Sequence, residues 1–299
     1  MKLNYSKEVQ SAKESGKPIL ALESTIIAHG MPYPDNYEFA KKAESLCKEN
    51  GVVPATIAIL DGNIHVGLEN NTLEFVAENN SVAKISRREL GIAMAQNWNG
   101  ATTVSSTMHI AHQAGIDVFA TGGIGGVHRG VAYSFDVSQD LSALAEIPIV
   151  VISAGAKAIL DLPKTIEMME TLGVTVLGYG TKEFPAFYSR ESGCFGIHEV
   201  DYAADVAKVY KENISAGLSS AVLVANPVPE KDEIPKAELD SVIDLACKSA
   251  ENQNIIGKEL TPFLLKEVSE KTGGKSLQAN TALALNNIKL GAEIAKAMM

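Results

Sequence analysis

The chain has 299 residues, 46% of them apolar and only 6% aromatic, and a formal net charge of −10. That balance excludes the extended basic face needed for non-specific nucleic-acid or anionic-membrane binding, so an anionic ligand requires a local basic pocket. The scattered Cys47, Cys194 and Cys247 form no ligand spacing, no apolar run is long enough for a membrane span, and the polar N-terminus lacks a signal peptide's apolar core, so a soluble cytoplasmic protein is expected.

In chain order, strand-like runs at 18–22, 54–60, 63–68, 102–106, 117–123, 147–153, 174–180 and 221–227 alternate with runs of helical period at 36–50, 87–98, 140–147, 165–173 and 201–214. This alternation predicts an α/β fold in which helices cover a largely buried sheet. Asp61-Gly62 between two strand-like runs is a hairpin signal, so the sheet should be mixed. The only linker-like piece, 226–235, is too short to divide the chain, and one domain spanning 1–299 is expected, with a helical portion from about 235. That portion holds three amphipathic runs, which would cover either a sheet face or a neighbouring subunit.

Chemistry in such folds collects just beyond strand ends. Glu23 follows the first strand-like run; alone, it reads equally well as an edge carboxylate. Lys84, Arg87 and Arg88 put three cations into five residues of an acidic protein, and cations in a first helical turn oppose the helix dipole unless an anion lies nearby. The densest stretch is "TGGIGGVHRGVAYSFDVSQD" (121–140). Its glycines allow close backbone approach, although neither GxxxxGK[ST] nor GxGxxG is present. His128 and Arg129 can meet an anion, and Asp136 suits a hard, hydrated divalent cation better than zinc. The alternative is that Asp136 or Ser138 caps the helix that follows; if that helix has already begun, Asp136 and Asp140 share a face. Finally, Lys157 follows the β-branched run "IVVI" after four small residues, Ser153, Ala154, Gly155 and Ala156. Either a helix has begun and the amine points to water, or the amine sits in an active site, where apolar surroundings favour its neutral, nucleophilic form.

The motifs "ALESTIIAHGMPYP", "KISRREL", "NGATTVSSTM", "VFATGGIGGVHRG", "FDVSQDL", "SAGAKAILDL", "IIGKELTPFLL" and "GGKSLQANTALALNN" closely resemble, in order, those of the indigoidine synthase A-like family of pseudouridine-5′-phosphate glycosidases. Residues 189–220 carry little that matches. The resemblance implies a three-layer α/β/α fold, a homotrimer, a divalent ion (typically Mn²⁺), and reversible cleavage of pseudouridine 5′-phosphate to uracil and ribose 5-phosphate. It implies Lys157 as covalent lysine, Glu23 as acid and Asp136 as metal carboxylate. Lys84, Val104, Ser138, Gln139 and Asp140 are implied as substrate contacts, with His128 and Asn280 on the phosphate side. Two other readings of the same residues are a different imine-forming lyase or aldolase acting on a sugar phosphate, and a non-catalytic nucleotide sensor.

Overall fold

The computed structural model describes residues 2–255 and 257–299; Ile256, within the "IIGKELTPFLL" stretch, lies outside them. The first half runs β1 (Leu3–Tyr5), α1 (Lys7–Ser15), β2 (Ile19–Leu22), α2 (Thr25–His29), α3 (Asp35–Glu49), β3 (Val53–Leu60), β4 (Asn63–Val66), α4 (Asn70–Glu78), β5 (Ala83–Ile85), α5 (Leu90–Ala95), β6 (Gly100–Thr102) and α6 (Val104–Gln113). It continues through β7 (Val118–Ala120), α7 (Val131–Ser134), α8 (Gln139–Glu146), β8 (Val150–Ser153), α9 (Leu162–Thr171), β9 (Thr175–Tyr179), β10 (His198–Val200), α10 (Ala203–Ser215), β11 (Val222–Ala225), α11 (Lys236–Asn252), α12 (Leu260–Lys271) and α13 (Lys275–Ala297).

The strands form one mixed sheet in the order β1-β4-β3-β2-β7-β8-β11-β9-β10, with β6 on β3 and β5 on β6. From β3 through β2, β7, β8, β11 and β9 to β10 all neighbours are parallel, while β4 and β6 run antiparallel to β3. The expected hairpin is present: Asp61 and Gly62 both have positive φ and return β3 into β4. The central strands are apolar without alternation because both faces are covered, and every residue of β7, β8 and β11 is buried. Helices form layers on the two faces, giving a three-layer α/β/α sandwich. Among the described residues, no helix is long and apolar enough to cross a membrane.

Two sequence expectations change. The run 102–106 is not a strand: β6 ends at Thr102, and the small residues after it begin α6, whose buried Ser105, Ser106 and Thr107 satisfy helix rather than ladder. The choice left open for the C-terminal runs is resolved for α13, which packs across β2, β7 and β8 and beside α3 and α10. Its buried positions include Ala279, Leu283, Ile288, Leu290 and Ile294.

Parallel register fixes where the site lies. Leu22 pairs with Ala120, and Ala120 with Ile152, so β2, β7 and β8 end side by side. A hydroxyl network ties this edge to β3 and β6: Ser24 Oγ donates to the Ile57 carbonyl at 2.6 Å and accepts from the Thr102 amide at 2.9 Å, and Thr25 Oγ1 donates to the Thr102 carbonyl at 2.8 Å. Beyond β8 no helix begins until Leu162. The chain instead stays irregular, with Gly155 at φ 80° beneath the Pro185 carbonyl, whose oxygen would lie 2.1 Å from any Cβ added there. Gly155→Ala should therefore destabilise by more than the roughly 1–3 kcal/mol of a strained backbone alone, read as a lowered Tm with loss of activity.

Candidate active site

A cleft of about 640 Å³ opens at this edge of the sheet. Glu23, Lys84, Val104, His128, Asp136, Ser138, Gln139, Asp140, Lys157 and Asn280 all line it.

Glu23 follows β2 directly and is only 9% exposed. Burial raises its pKa, and the nearby Lys157 charge and a hydrogen bond from Thr121 oppose that rise without cancelling it. Thr121, the residue after β7, donates its hydroxyl to Glu23 Oε1. The result is a carboxyl that keeps its proton to higher pH than an exposed glutamate, which is what a general acid needs.

Lys157 sits on the irregular segment after β8, held by its backbone amide on the Ile124 carbonyl at 3.0 Å. Its Nζ donates to the Gly123 carbonyl at 2.8 Å. The reading in which Lys157 lies on a surface helix is thus overturned: the segment is not helical, and its side chain turns into the cleft.

The glycine-rich loop is fastened by a carboxylate. Asp140, 6% exposed, accepts the Ser105 amide on Oδ1 at 3.0 Å and the Gly125 amide on Oδ2 at 2.8 Å, clamping the loop to the first turn of α6. Gly125 permits this closeness, since a Cβ there would lie 2.2 Å from Ser138 Oγ. Ser138 caps α8 through the Asp140 amide at 3.2 Å and lines the cleft as well, so capping and site placement coexist. Helix α8 starts at Gln139, so Asp136 lies before it and shares no helical face with Asp140. Gln139 Oε1 accepts the Arg88 amide at 3.0 Å. Val104 opens α6, whose N-cap residue Thr103 makes no side-chain cap, and its apolar side chain leaves only main-chain groups to offer a polar ligand.

The cations divide. Lys84, Arg88 and His128 line the cleft, and burial lowers the His128 pKa, with Asp136 opposing and Lys157 and Lys84 reinforcing. Arg87 pairs with Glu146 at 2.7 Å, Arg88 with Glu89 at 2.6 Å and Arg129 with Asp244 on α11 at 2.8 Å. The conflict between Arg87, Arg88 and the helix dipole therefore has protein carboxylates as its answer, and Arg129 is drawn away from the cleft.

For a divalent ion, Asp136 lines the cleft and no described protein group hydrogen-bonds its carboxylate. No cluster of three His, Cys, Asp or Glu side chains suited to a metal occurs among the described residues. One open carboxylate fits a largely hydrated hard cation and does not fit zinc.

Sequence reasoning missed Thr121, His29 and Phe187. Thr121 begins the stretch read for its glycines, and only the register of β2 on β7 reveals its contact with Glu23. Phe187, at φ 65°, fills the space beside Gly123 and comes from a region without a matching motif.

A buried acid and an amine beyond the ends of β2 and β8, on either side of β7, define an α/β enzyme. The family model described as Indigoidine synthase A like protein matches residues 8–297, and the chain belongs to that family. It is 50% identical over 293 residues to the pseudouridine-5′-phosphate glycosidase of Caldanaerobacter subterraneus subsp. tengcongensis, covering 98% of this chain and 95% of the relative. It is 52% identical over 295 residues to that of Paracoccus denitrificans, covering 98% and 97%. Among solved structures, an indigoidine synthase A-like protein from Thermotoga maritima superposes with a TM-score of 0.90 at 38% identity, covering 98% and 95% of the two chains. The prealnumycin C-glycosynthase AlnA, solved with ribulose 5-phosphate, gives 0.91 at 34% identity, covering 99% and 96%.

Because the Thr121 hydroxyl favours the ionised carboxylate, Thr121→Val should raise the Glu23 pKa further. A carboxyl-¹³C NMR titration, with Glu23→Gln to assign the resonance, should show a midpoint at higher pH than in the wild type; an unmoved midpoint would remove Thr121 from this role.

Proposed function

We propose that this chain reversibly cleaves the C–C glycosidic bond of pseudouridine 5′-phosphate, giving uracil and ribose 5-phosphate through a lysine imine. The observation that carries this reading is the Lys157 amine, held by the Gly123 carbonyl in one cleft with the buried Glu23 acid. The names of the full-length relatives at about 50% identity support the substrate.

A C-glycoside has no leaving heteroatom to protonate, so the carboxylate-pair chemistry of ordinary glycosidases is closed to it. Glu23 instead gives its proton to the ribose ring oxygen, the C1′–O4′ bond breaks, and the Lys157 amine bonds to C1′ and passes a proton back to the Glu23 carboxylate. The nitrogen lone pair next forms C=N as the bond from C1′ to uracil C5 breaks. That electron pair takes up the Glu23 proton at C5, and water hydrolyses the iminium to ribose 5-phosphate, freeing Lys157 and returning a proton to Glu23. Lys84, His128 and the Ser138–Asp140 turn bind the anionic end, with the Val104 main chain and Asn280 as further contacts.

Asp136 would hold a divalent ion, Mn²⁺ or Mg²⁺, through one carboxylate with waters completing the shell. When bound, that ion supplies positive charge and ordered waters that orient the substrate's oxygens. We further propose a homotrimer acting in the cytoplasm in pseudouridine breakdown.

The test is intact-protein mass spectrometry and peptide mapping after incubation with ribose 5-phosphate, Mn²⁺ and borohydride, beside an assay of uracil release. A reduced adduct on Lys157 with uracil release is expected, and Glu23→Gln should lower turnover by roughly 10²–10⁴-fold. An adduct without uracil would point to a sugar-phosphate lyase, and folded protein that binds phosphate with neither would point to a sensor. Asp136→Asn should weaken Mn²⁺ binding, seen as more free Mn²⁺ by EPR at equal total metal.

A further inference from the structure

Asn287 is one of two asparagines among the buried positions of α13, most of which are apolar or small. It is fully buried, and unlike Asn280 it lines no part of the cleft. An amide enclosed in this way is costly unless its donors and its acceptor are met, and here they are. Its Nδ2 donates to the carbonyls of Thr121 at 2.8 Å and Gly122 at 3.3 Å, and its Oδ1 accepts from Asn226 Nδ2 at 3.0 Å. A carbonyl only accepts, so the nitrogen end must face Thr121 and Gly122, and the Asn226 donor then meets the oxygen end. The partners thus fix which way the amide points.

Each of these partners leads to the site. Strand β7 ends at Ala120, and beyond it the donor that meets the Thr121 carbonyl is Asn287. The Thr121 amide is bonded to the Ile152 carbonyl at 2.9 Å and its hydroxyl to Glu23 Oε1, so a turn of this main chain would carry the hydroxyl off the carboxyl. The Gly122 carbonyl also accepts the Ala154 amide at 2.9 Å, and Asn226 gives its own amide to the Ser153 carbonyl at 2.8 Å. Ser153 ends β8, and Ala154 opens the irregular segment that carries Lys157. One buried amide pair therefore ties the backbone that serves the acid to the backbone that leads to the amine.

We infer that Asn287, its amide set by Asn226, is a positioning residue: it holds the Thr121 main chain so that the Thr121 hydroxyl stays on Glu23, in fixed relation to the end of β8. It touches neither substrate nor reacting atoms. The assignment rests on the proposed function for the reaction that is served, whereas the link from Asn287 to Glu23 stands on the hydrogen bonds alone.

The Thr121 hydrogen bond favours the Glu23 carboxylate, so its loss moves the Glu23 titration to higher pH. The charged groups that also bear on Glu23 are Lys157 beyond β8, Asp140 on α8 and Lys84 on β5, and none of them is a hydrogen-bond partner of Asn287. The test is a double-mutant cycle of Asn287→Ala and Thr121→Val, read by ¹³C NMR titration of the Glu23 carboxyl and by the kinetics of uracil release. Asn287→Ala should move the midpoint to higher pH, as Thr121→Val does, and in the Thr121→Val background it should move it no further. Its kcat should fall about tenfold, as for a misplaced catalytic group, with KM changed by no more than about twofold. A lowered Tm with an unmoved midpoint would make Asn287 a purely structural residue and overturn the assignment, as would an unchanged kcat or an equal shift with and without the Thr121 hydroxyl. If Asn287→Ala does not fold, Asn226→Ala, which removes the donor to Asn287 Oδ1, carries the same cycle: a shift in the same direction is expected, and an unmoved midpoint overturns the assignment. Wild-type protein that releases no uracil overturns the proposed function, whereas the titration, which needs no substrate, still decides the link from Asn287 to Glu23.

Discussion

The site depends on the in-register parallel pairing of β2, β7 and β8. Each strand is short, and the last paired residues, Leu22, Ala120 and Ile152, are apolar and lie side by side. The next residues therefore emerge along one line: Glu23 from the first, Thr121 from the second, and the segment leading to Lys157 from the third. A slip of one residue would turn each of these side chains to the opposite face. Burial of both sheet faces opposes such a slip, because every residue of β7 and β8 is already enclosed. The same apolar packing that stabilises the domain thus sets the separation of an acid from an amine.

Within that frame, charge is used sparingly. Asp140 spends both oxygens on backbone amides, the N–H groups of Ser105 and Gly125, and so acts first as a fastener between the glycine loop and α6. The arginines beside the site are neutralised by Glu146, Glu89 and Asp244. These pairs draw the arginine charge onto protein carboxylates, so the anionic end of a ligand would meet Lys84 and His128 beside an Arg88 already paired with Glu89. An acidic protein can in this way bind an anion in a cleft whose positive groups are few and directed.

Much of this was legible in the sequence, and the failures have physical causes. The alternation of strand and helix, the Asp61-Gly62 hairpin and the clustering of Glu23, Lys84, the glycine loop and Lys157 at strand ends rest on local pattern, and local pattern survives folding. The run 102–106 misled because Thr and Val favour strands while the hydroxyls of Thr102, Ser106 and Thr107 are satisfied by contacts within this fold. The environment of Lys157 was undecided because the carbonyl that holds it comes from Gly123, 34 residues away. Thr121 and His29 were invisible as site residues for the same reason: one acts through Glu23 and the other is noticed by its Nε2, without a partner among the described residues, and neither property has a sequence signature.

The C-terminal helix shows how far the site extends into the scaffold. Asn280 and Asn287 lie two turns apart on the buried side of α13. Asn287, fully buried, donates to the carbonyls of Thr121 at 2.8 Å and Gly122 at 3.3 Å and accepts from Asn226 at 3.0 Å. Asn226 in turn continues β11, its amide bonded to the Ser153 carbonyl at 2.8 Å. A buried amide with its hydrogen bonds met in this way holds one geometry, and the geometry it holds is that of the residue donating to Glu23. Asn280, by contrast, keeps its oxygen unmet at the cleft wall. One helix face thus carries two asparagines of opposite condition: the satisfied one fixes the backbone beneath the acid, and the unsatisfied one stands in the cleft wall itself.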